Sequence, residues 1–242
     1  MKEDSPRLAM AFALEQIEIA AGHDLASPGR AVVGVASRLE QPLEEARRRR
    51  YLGFLQDAGE RVVRQAEGLF ELVRAAREAP ESSPVDADLE LERVITAHRR
   101  TLEAREISVA PQPLGVVWAD RAGLELVLER LLLNVVHHAG PGAELRIRAR
   151  RAHGRVHVRF EDDGPGLEPP FRERAFEVFE RLGAEVDPGG RGLGLTMARL
   201  LAYRMGGDLA CVDPEGVGAC FELTLWTAPD EGMSGPVERV PR

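Results

Sequence analysis

The stretch ELRIRARRAHGRVHVRFEDDGPG, residues 144–166, decides the fold. Leu145, Ile147 and Ala149 alternate with arginines, His153-Gly154 supplies a turn, and Val156, Val158 and Phe160 alternate again. Period-two alternation on both sides of a short glycine turn predicts a β-hairpin with one apolar face and one charged face. The apolar face needs a cover. Arg121–His138 and Leu193–Met205 carry apolar residues at helical spacing, and Asp88–Ala104 reads as a third helix. Further strands fit Leu209–Val212 and Cys220–Trp226, joined by a Pro/Gly-rich turn over 213–218. Helices interleaved with mostly antiparallel strands predict an α+β fold, an α/β sandwich with its helices on one face.

The first eighty residues have a different period. Leu52, Leu55, Gly59, Val62, Ala66, Leu69, Val73 and Ala76 step by alternating threes and fours, the seam of a bundled helix. Ala11, Leu14, Glu18, Ala21, Leu25, Pro28, Val32, Val35 and Leu39 keep the same rhythm with one polar exception. Gln41-Pro42 and Arg47–Arg50 are expected to form the turn between them. Two such seams predict an antiparallel helical hairpin. Covering them calls for a second hairpin, hence a homodimer built on a four-helix bundle. Residues 79–84, APESSP, read as a linker. The expected organisation is a helical domain over 1–80, a sandwich over 85–227 and a tail over 228–242.

Composition narrows the function classes. The net charge of -8 speaks against non-specific binding to nucleic acid or anionic lipid. Lys2 is the sole lysine among 32 basic residues, which excludes a lysine-dependent phosphate loop or Schiff-base site within the fold. The apolar run Leu8–Leu14 has only seven residues, too few for a membrane span, and acidic flanks unlike those of a signal peptide. Cys211 and Cys220 are the only cysteines, neither a zinc framework nor a disulfide scaffold. Across a hairpin they are expected to stay thiols, in a cytoplasmic protein.

Three stretches carry chemistry. Asn134 lies inside an apolar helix and is followed by His137 and His138; a carbonyl oxygen there suits a Mg²⁺ ion that already carries phosphate oxygens. Asp162 ends a strand before Asp163-Gly164-Pro165-Gly166, and such a carboxylate can accept a hydrogen bond from an exocyclic amine. Gly190-Arg191-Gly192-Leu193-Gly194-Leu195 opens a helix, where glycines let backbone N–H groups approach phosphates. Each is weak alone. Their order, with Phe171–Phe179 between the last two, is far more specific.

In that order the sequence resembles the sensor histidine kinases of two-component systems, whose ATP-binding domain belongs to the superfamily shared with DNA gyrase and MutL. LLLNVVHHAG resembles the family's N box, EDDGPGL its G1 box, FEVFERLG its F box and GRGLGLTMARLLAYRMGGDL its G2 box; HDLASPG, from His23, resembles the H box. The resemblance covers about residues 10–227. It implies that Asn134 coordinates Mg²⁺, that Asp162 binds the adenine amine of ATP, and that Gly164 and Gly166 shape the adenine pocket. It also implies that Gly190, Gly192, Leu193, Gly194 and Leu195 lie against the phosphates. His137, His138 and Phe179 then line the nucleotide site, and the segment between Gly166 and Gly190 is a mobile lid. His23 takes the γ-phosphoryl group, Asp24 orients or deprotonates its imidazole, and Ser27 occupies the place that often positions water for dephosphorylating a response regulator.

The residues support His23 independently. With Leu25 and Val32 at heptad position a and Ala21 and Pro28 at d, His23 falls at f, the outermost position, where it can reach both ATP and a partner's receiver domain. Pro28 removes the N–H that would bond the Asp24 carbonyl, so a kink is expected there. The chain also departs from the family. Arg130 stands one turn before Asn134, where the family has Asn or an acidic residue; a guanidinium cannot bind Mg²⁺ and is a candidate for phosphate contact instead. His137 replaces a lysine, Met205 a histidine, and Ala26 and Gly29 a basic residue and a leucine. Those departures motivate an alternative: a catalytically inactive phosphotransfer or scaffold protein that kept the fold. Intact Asn134, Asp162 and glycines argue against it, and HDLASP argues against a serine kinase of the sigma-factor type. His98, His153 and His157 read as surface or strand residues, His138 as packed near Asn134. No sensor domain is expected in the few residues before His23, so input is expected from a partner, from another polypeptide, or not at all.

Overall fold

A computed structural model describes residues 5–20, 26–180 and 192–228 of the 242-residue chain. His23, Asp24 and Gly190 lie outside the described residues, as does most of the tail expected over 228–242.

The helical part has three elements: α1 (Ser5–Ile19), α2 (Ala26–Leu39) and α3 (Glu45–Arg77). Residues 40–44, with Pro42, connect α2 to α3. Arg47–Arg50 does not share that turn; it forms the opening of α3, because arginine is a good helix former and Arg49 pairs with Glu45 one turn back, 3.2 Å away. α2 packs along α3, with Pro28, Val32, Val35 and Leu39 half-buried. α1 differs. Leu14 is 58% exposed, and the buried face is Ala9, Ala13, Gln16 and Ala20. Small residues win this face because it lies against α3 and a helix of the sandwich, in a cluster of Ala9, Ala13, Leu72, Ala76 and Leu200. The α3 seam divides accordingly. Leu69 and Ala76 are buried, whereas Leu52 is 50% exposed.

The remainder is a sheet with helices on one face. Its strands are β1 (Ser82–Asp86), β2 (Ser108–Pro111), β3 (Val116–Asp120), β4 (Glu144–Ala152), β5 (Arg155–Asp162), β6 (Asp208–Val212) and β7 (Cys220–Thr227). They follow the order β1-β3-β7-β5-β4-β2, with β6 also paired to β7. All pairs are antiparallel except β2–β4. The expected linker is shorter than its composition implies, since Ser82–Pro84 already belongs to β1; Pro84 is tolerated because β1 is an edge strand. The β4–β5 turn falls at His153-Gly154 as expected, both at positive φ (51° and 72°), the geometry two-residue hairpins require. Cys211 and Cys220 do not face each other. Cys211 pairs with Phe221 and Cys220 with Val212, so the two thiols fall on opposite faces, both free.

α4 (Ala87–Ala97), α5 (Arg99–Ala104), α6 (Arg121–His138) and α7 (Gly194–Arg204) complete the chain. The helix expected over Asp88–Ala104 breaks at His98, whose ring meets Glu129 at 2.8 Å. Asp86 caps α4 by accepting from the N–H groups of Asp88 and Leu89. The core lies between α4, α6 and α7 and the apolar sheet face, with Leu128, Leu131, Leu132 and Val135 meeting Ile147, Val158, Phe160 and Leu223. The opposite sheet face carries a charge ladder, Arg146–Glu161 at 3.0 Å and Arg159–Glu222 at 2.9 Å. His157 joins it through Glu222. No helix among the described residues is long and apolar enough to cross a membrane.

Candidate functional site

The site grows from one face of α6. Its apolar side is sealed against the sheet, which leaves Arg130, Asn134 and His138 at intervals of four on another side. At 1.5 Å per residue they span about 12 Å along the axis. Arg130 marks one end: its Cδ lies 3.8 Å from where a Cβ on Gly194 would stand, at the start of α7. His138 marks the other, close enough to Asp162 to feel its charge. Asn134 sits between, half-buried, with no hydrogen-bond partner for its amide among the described residues. His137 and His138 are exposed rather than packed beneath the helix.

Asp162 closes β5 at the His138 end and is 4% exposed. Its Oδ1 accepts from the N–H of Gly164 at 2.9 Å and that of Ala219 at 3.3 Å. Burial pushes the carboxyl above its ordinary value, against those two N–H groups. Gly164 is required there, because a Cβ would come within 2.6 Å of the Ala139 Cα and 2.9 Å of Asp162 Oδ1. β5 thereby touches the end of α6. The frame around Asp162 also includes Gly218 and Ala219, which sequence reasoning passed over as turn punctuation. The signal available was the spacing of Gly216 and Gly218 just before β7. Desolvation, then repulsion from His137, lowers the His138 pKa, and Asp162 opposes the shift.

Past Gly166, residues 167–180 run through two short 3-10 turns, at Pro169–Phe171 and Arg174–Phe176. Phe176 enters the core, edge-on to Phe221. Phe179 takes φ +63°, unusual for an aromatic residue, and its N–H donates to the Gly192 carbonyl at 2.8 Å. Gly192, at φ +66°, has no room for a Cβ, which would stand 2.7 Å from the Phe179 Cα. These two residues join the described chain on either side of 181–191 in a neck. The neck rests on the helical part: Leu193 and Val178 pack with Ala20 and Leu69, and Gly68 leaves space for the Leu193 side chain. Gln16 of α1 accepts from the Val178 N–H at 2.8 Å, a buried contact no sequence pattern announced. Leu195 packs half-buried against the core.

Asp162, Gly164, Gly166, His138, Asn134, Gly192, Leu193, Gly194 and Phe179 therefore gather about α6 and the first turn of α7. Ser27 does not join them. It lines a separate groove of about 440 Å³ between α2 and α3, with Pro28, Val35, Phe54, Asp57 and Arg61. Among the described residues no group of three or more His, Cys, Asp or Glu side chains could hold a metal. A hard cation at this site would rely on Asn134 and on oxygens brought by a ligand, a set that fits Mg²⁺ carried by phosphates.

Residues 119–229 match the family model described as Histidine kinase-, DNA gyrase B-, and HSP90-like ATPase. The chain is 32% identical over 212 residues, 84% of its length, to the swarming motility regulation sensor protein RssA of Serratia marcescens, and covers 45% of that protein. It thus spans less than half of this relative. Among solved structures, the mycobacterial sensor histidine kinase MprB is 27% identical at a TM-score of 0.53, over 62% of this chain and 99% of that one. The histidine kinase ThkA, in complex with the response regulator protein TrrA, shares the fold at 17% identity and a TM-score of 0.63, over 95% of this chain and 66% of that one.

Proposed function

We propose, from the kinship of this chain with the two-component sensor histidine kinases and their ATP-binding catalytic domain, that it is an ATP-dependent protein histidine kinase. It phosphorylates His23 and passes the phosphoryl group to an aspartate of a response regulator. The observation that carries the proposal is the α6 face. It runs from a buried acceptor, Asp162, past Asn134, whose amide has no partner among the described residues, to a glycine-opened helix start at Gly194, a length that suits an adenine nucleotide. Asp162 accepts from the adenine amine while Gly164 and Ala219 hold its carboxylate in place. Asn134 and the phosphates hold Mg²⁺, which when bound spreads the charge of the transferring phosphoryl group. The N–H groups at the start of α7 meet the phosphates.

The transfer itself is in-line. A neutral His23 nitrogen, its ring oriented by Asp24, bonds to the γ-phosphorus as the bond to the β–γ bridging oxygen breaks and ADP leaves. An aspartate oxygen of the receiver domain then takes the phosphoryl group, and His23 regains its free nitrogen. Ser27, in the first turn of α2, positions water for dephosphorylation of the response regulator.

The working unit is a homodimer with a four-helix bundle formed from two antiparallel hairpins. Leu52, Val63 and Phe70 support it, 50%, 56% and 72% exposed on one side of α3, with Val33 of α2 67% exposed. Apolar residues so aligned mark an interface. A cytoplasmic setting suits the two free thiols, which burial pushes up to about 11 at Cys211 and about 12 at Cys220. Incubation with γ-labelled ATP and Mg²⁺ tests the function. The wild type is expected to acquire base-stable, acid-labile label; His23→Gln loses it but still binds nucleotide, and Asn134→Ala loses it through the metal. Label on His23→Gln equal to wild type overturns the proposal.

A further inference from the structure

Arg130 is a cation with no counter-charge among the described residues. Other arginines of the fold are paired: Arg121 with Glu90 at 2.7 Å, Arg146 with Glu161 at 3.0 Å, Arg199 with Glu173 at 2.6 Å. Arg130 has neither a hydrogen bond nor an ion pair among the described residues, although it is half-buried on α6. An anionic ligand at this place would supply the missing counter-charge.

The surroundings say where that anion lies. Among the described residues outside α7 and Leu193, the Arg130 Cδ is the one heavy atom within 4 Å of the space a Gly194 Cβ would take. Gly194 begins α7, whose first turn holds no acidic residue and whose N-cap, Leu193, offers no side-chain acceptor. The first turn of α7, with no side-chain cap, and the stem of the Arg130 guanidinium therefore meet at one place. Asn134 stands a single turn further along α6.

We infer that Arg130 is a resident phosphate-binding cation, which grips the terminal phosphates of the nucleotide beside the start of α7 and shares their neutralisation with Mg²⁺. The inference rests on the nucleotide site proposed above. It divides the labour on α6: the amide of Asn134 serves the metal, and the guanidinium one turn back serves the phosphate oxygens directly. Adenine nucleotide binding is then only partly dependent on magnesium, and it weakens as phosphates are removed.

Titration calorimetry of the full chain with ATP and with adenosine, each in excess EDTA and in excess Mg²⁺, tests this. Wild type is expected to bind ATP in EDTA more tightly than adenosine. Arg130→Gln lowers ATP affinity in EDTA by about 10- to 100-fold, the range for a lost charge-assisted hydrogen bond, and leaves adenosine affinity unchanged. Magnesium narrows the gap, and Arg130→Lys restores most of the loss. Equal weakening of ATP and adenosine assigns Arg130 a structural role and overturns the inference, as does ATP affinity untouched by Arg130→Gln. Failure of wild type to bind either ligand in any condition overturns the nucleotide site itself, a result distinct from the other two.

Discussion

Gln16→Ala probes how the helical part holds the neck at Phe179 and Gly192. Gln16 is 4% exposed on α1, and its Oε1 accepts from the Val178 N–H at 2.8 Å. Val178 is 2% exposed, packed with Ala20, Leu69 and Leu193. Truncation to alanine removes the acceptor but leaves the N–H shielded, so the native state bears the cost of a buried unsatisfied donor, about 1–3 kcal/mol. Were the neck to open locally to relieve it, exchange of the Val178 amide would quicken by roughly 5- to 150-fold, with the Phe179 amide following because it bonds to Gly192 in the same neck. Amides in the middle of α6 keep their protection. Hydrogen exchange read residue by residue is the assay, with thermal unfolding beside it; a global loss lowers Tm by about 2–4 °C per kcal/mol in a chain of this size. Val178 exchange equal in variant and wild type, at equal Tm, refutes the argument that α1 secures the neck.

Three further outcomes follow from single contacts. Gly218→Ala places a Cβ against the Asp162 carbonyl oxygen at φ +113°, and is expected to cost about 3 kcal/mol or more in urea unfolding. Asp162→Asn keeps an acceptor for Gly164 and Ala219 but removes a buried charge. The wild-type carboxyl titrates above its ordinary value in the folded state, so its contribution is full below the unfolded pKa of about 4 and is lost as pH rises through the raised folded value. The nucleotide-free variant should therefore melt higher than wild type at pH 7, with the advantage vanishing towards pH 4; an advantage that grows on acidification contradicts this. Thr196→Val removes a hydroxyl that is 1% exposed and has no partner among the described residues, and should stabilise the fold by about 1 kcal/mol in the same urea assay.

Strong periodicity made some elements legible and weak periodicity hid others. α6 spans the range its apolar spacing predicts, and the β4–β5 hairpin turns where His153-Gly154 stands. β1, β2 and β3 were not legible. They have five, four and five residues, too few for alternation to show, and Pro84 and Pro111 disguise the two edge strands. α1 misled for another reason. Alanines stand on both of its faces, and pattern alone could not tell that α7 would cover Ala9 and Ala13 while Leu14 stayed in solvent. At the site, Asp162 and the glycines were legible because their roles are local. Gly218, Ala219 and Gln16 act across 56, 57 and 162 residues of chain, and such contacts exist only once the sheet and helices have packed.

The central claim is that the cleft between α6, β5 and α7 holds an adenine nucleotide by Asp162. Titration of magnesium-ATP into wild type and Asp162→Asn tests it most directly. Saturable one-to-one binding per chain is predicted for wild type, with a loss of about tenfold or more in the folded variant, because an amide N–H₂ cannot take the place of a charged acceptor facing the adenine amine. Equal affinity of the two proteins for magnesium-ATP contradicts the account.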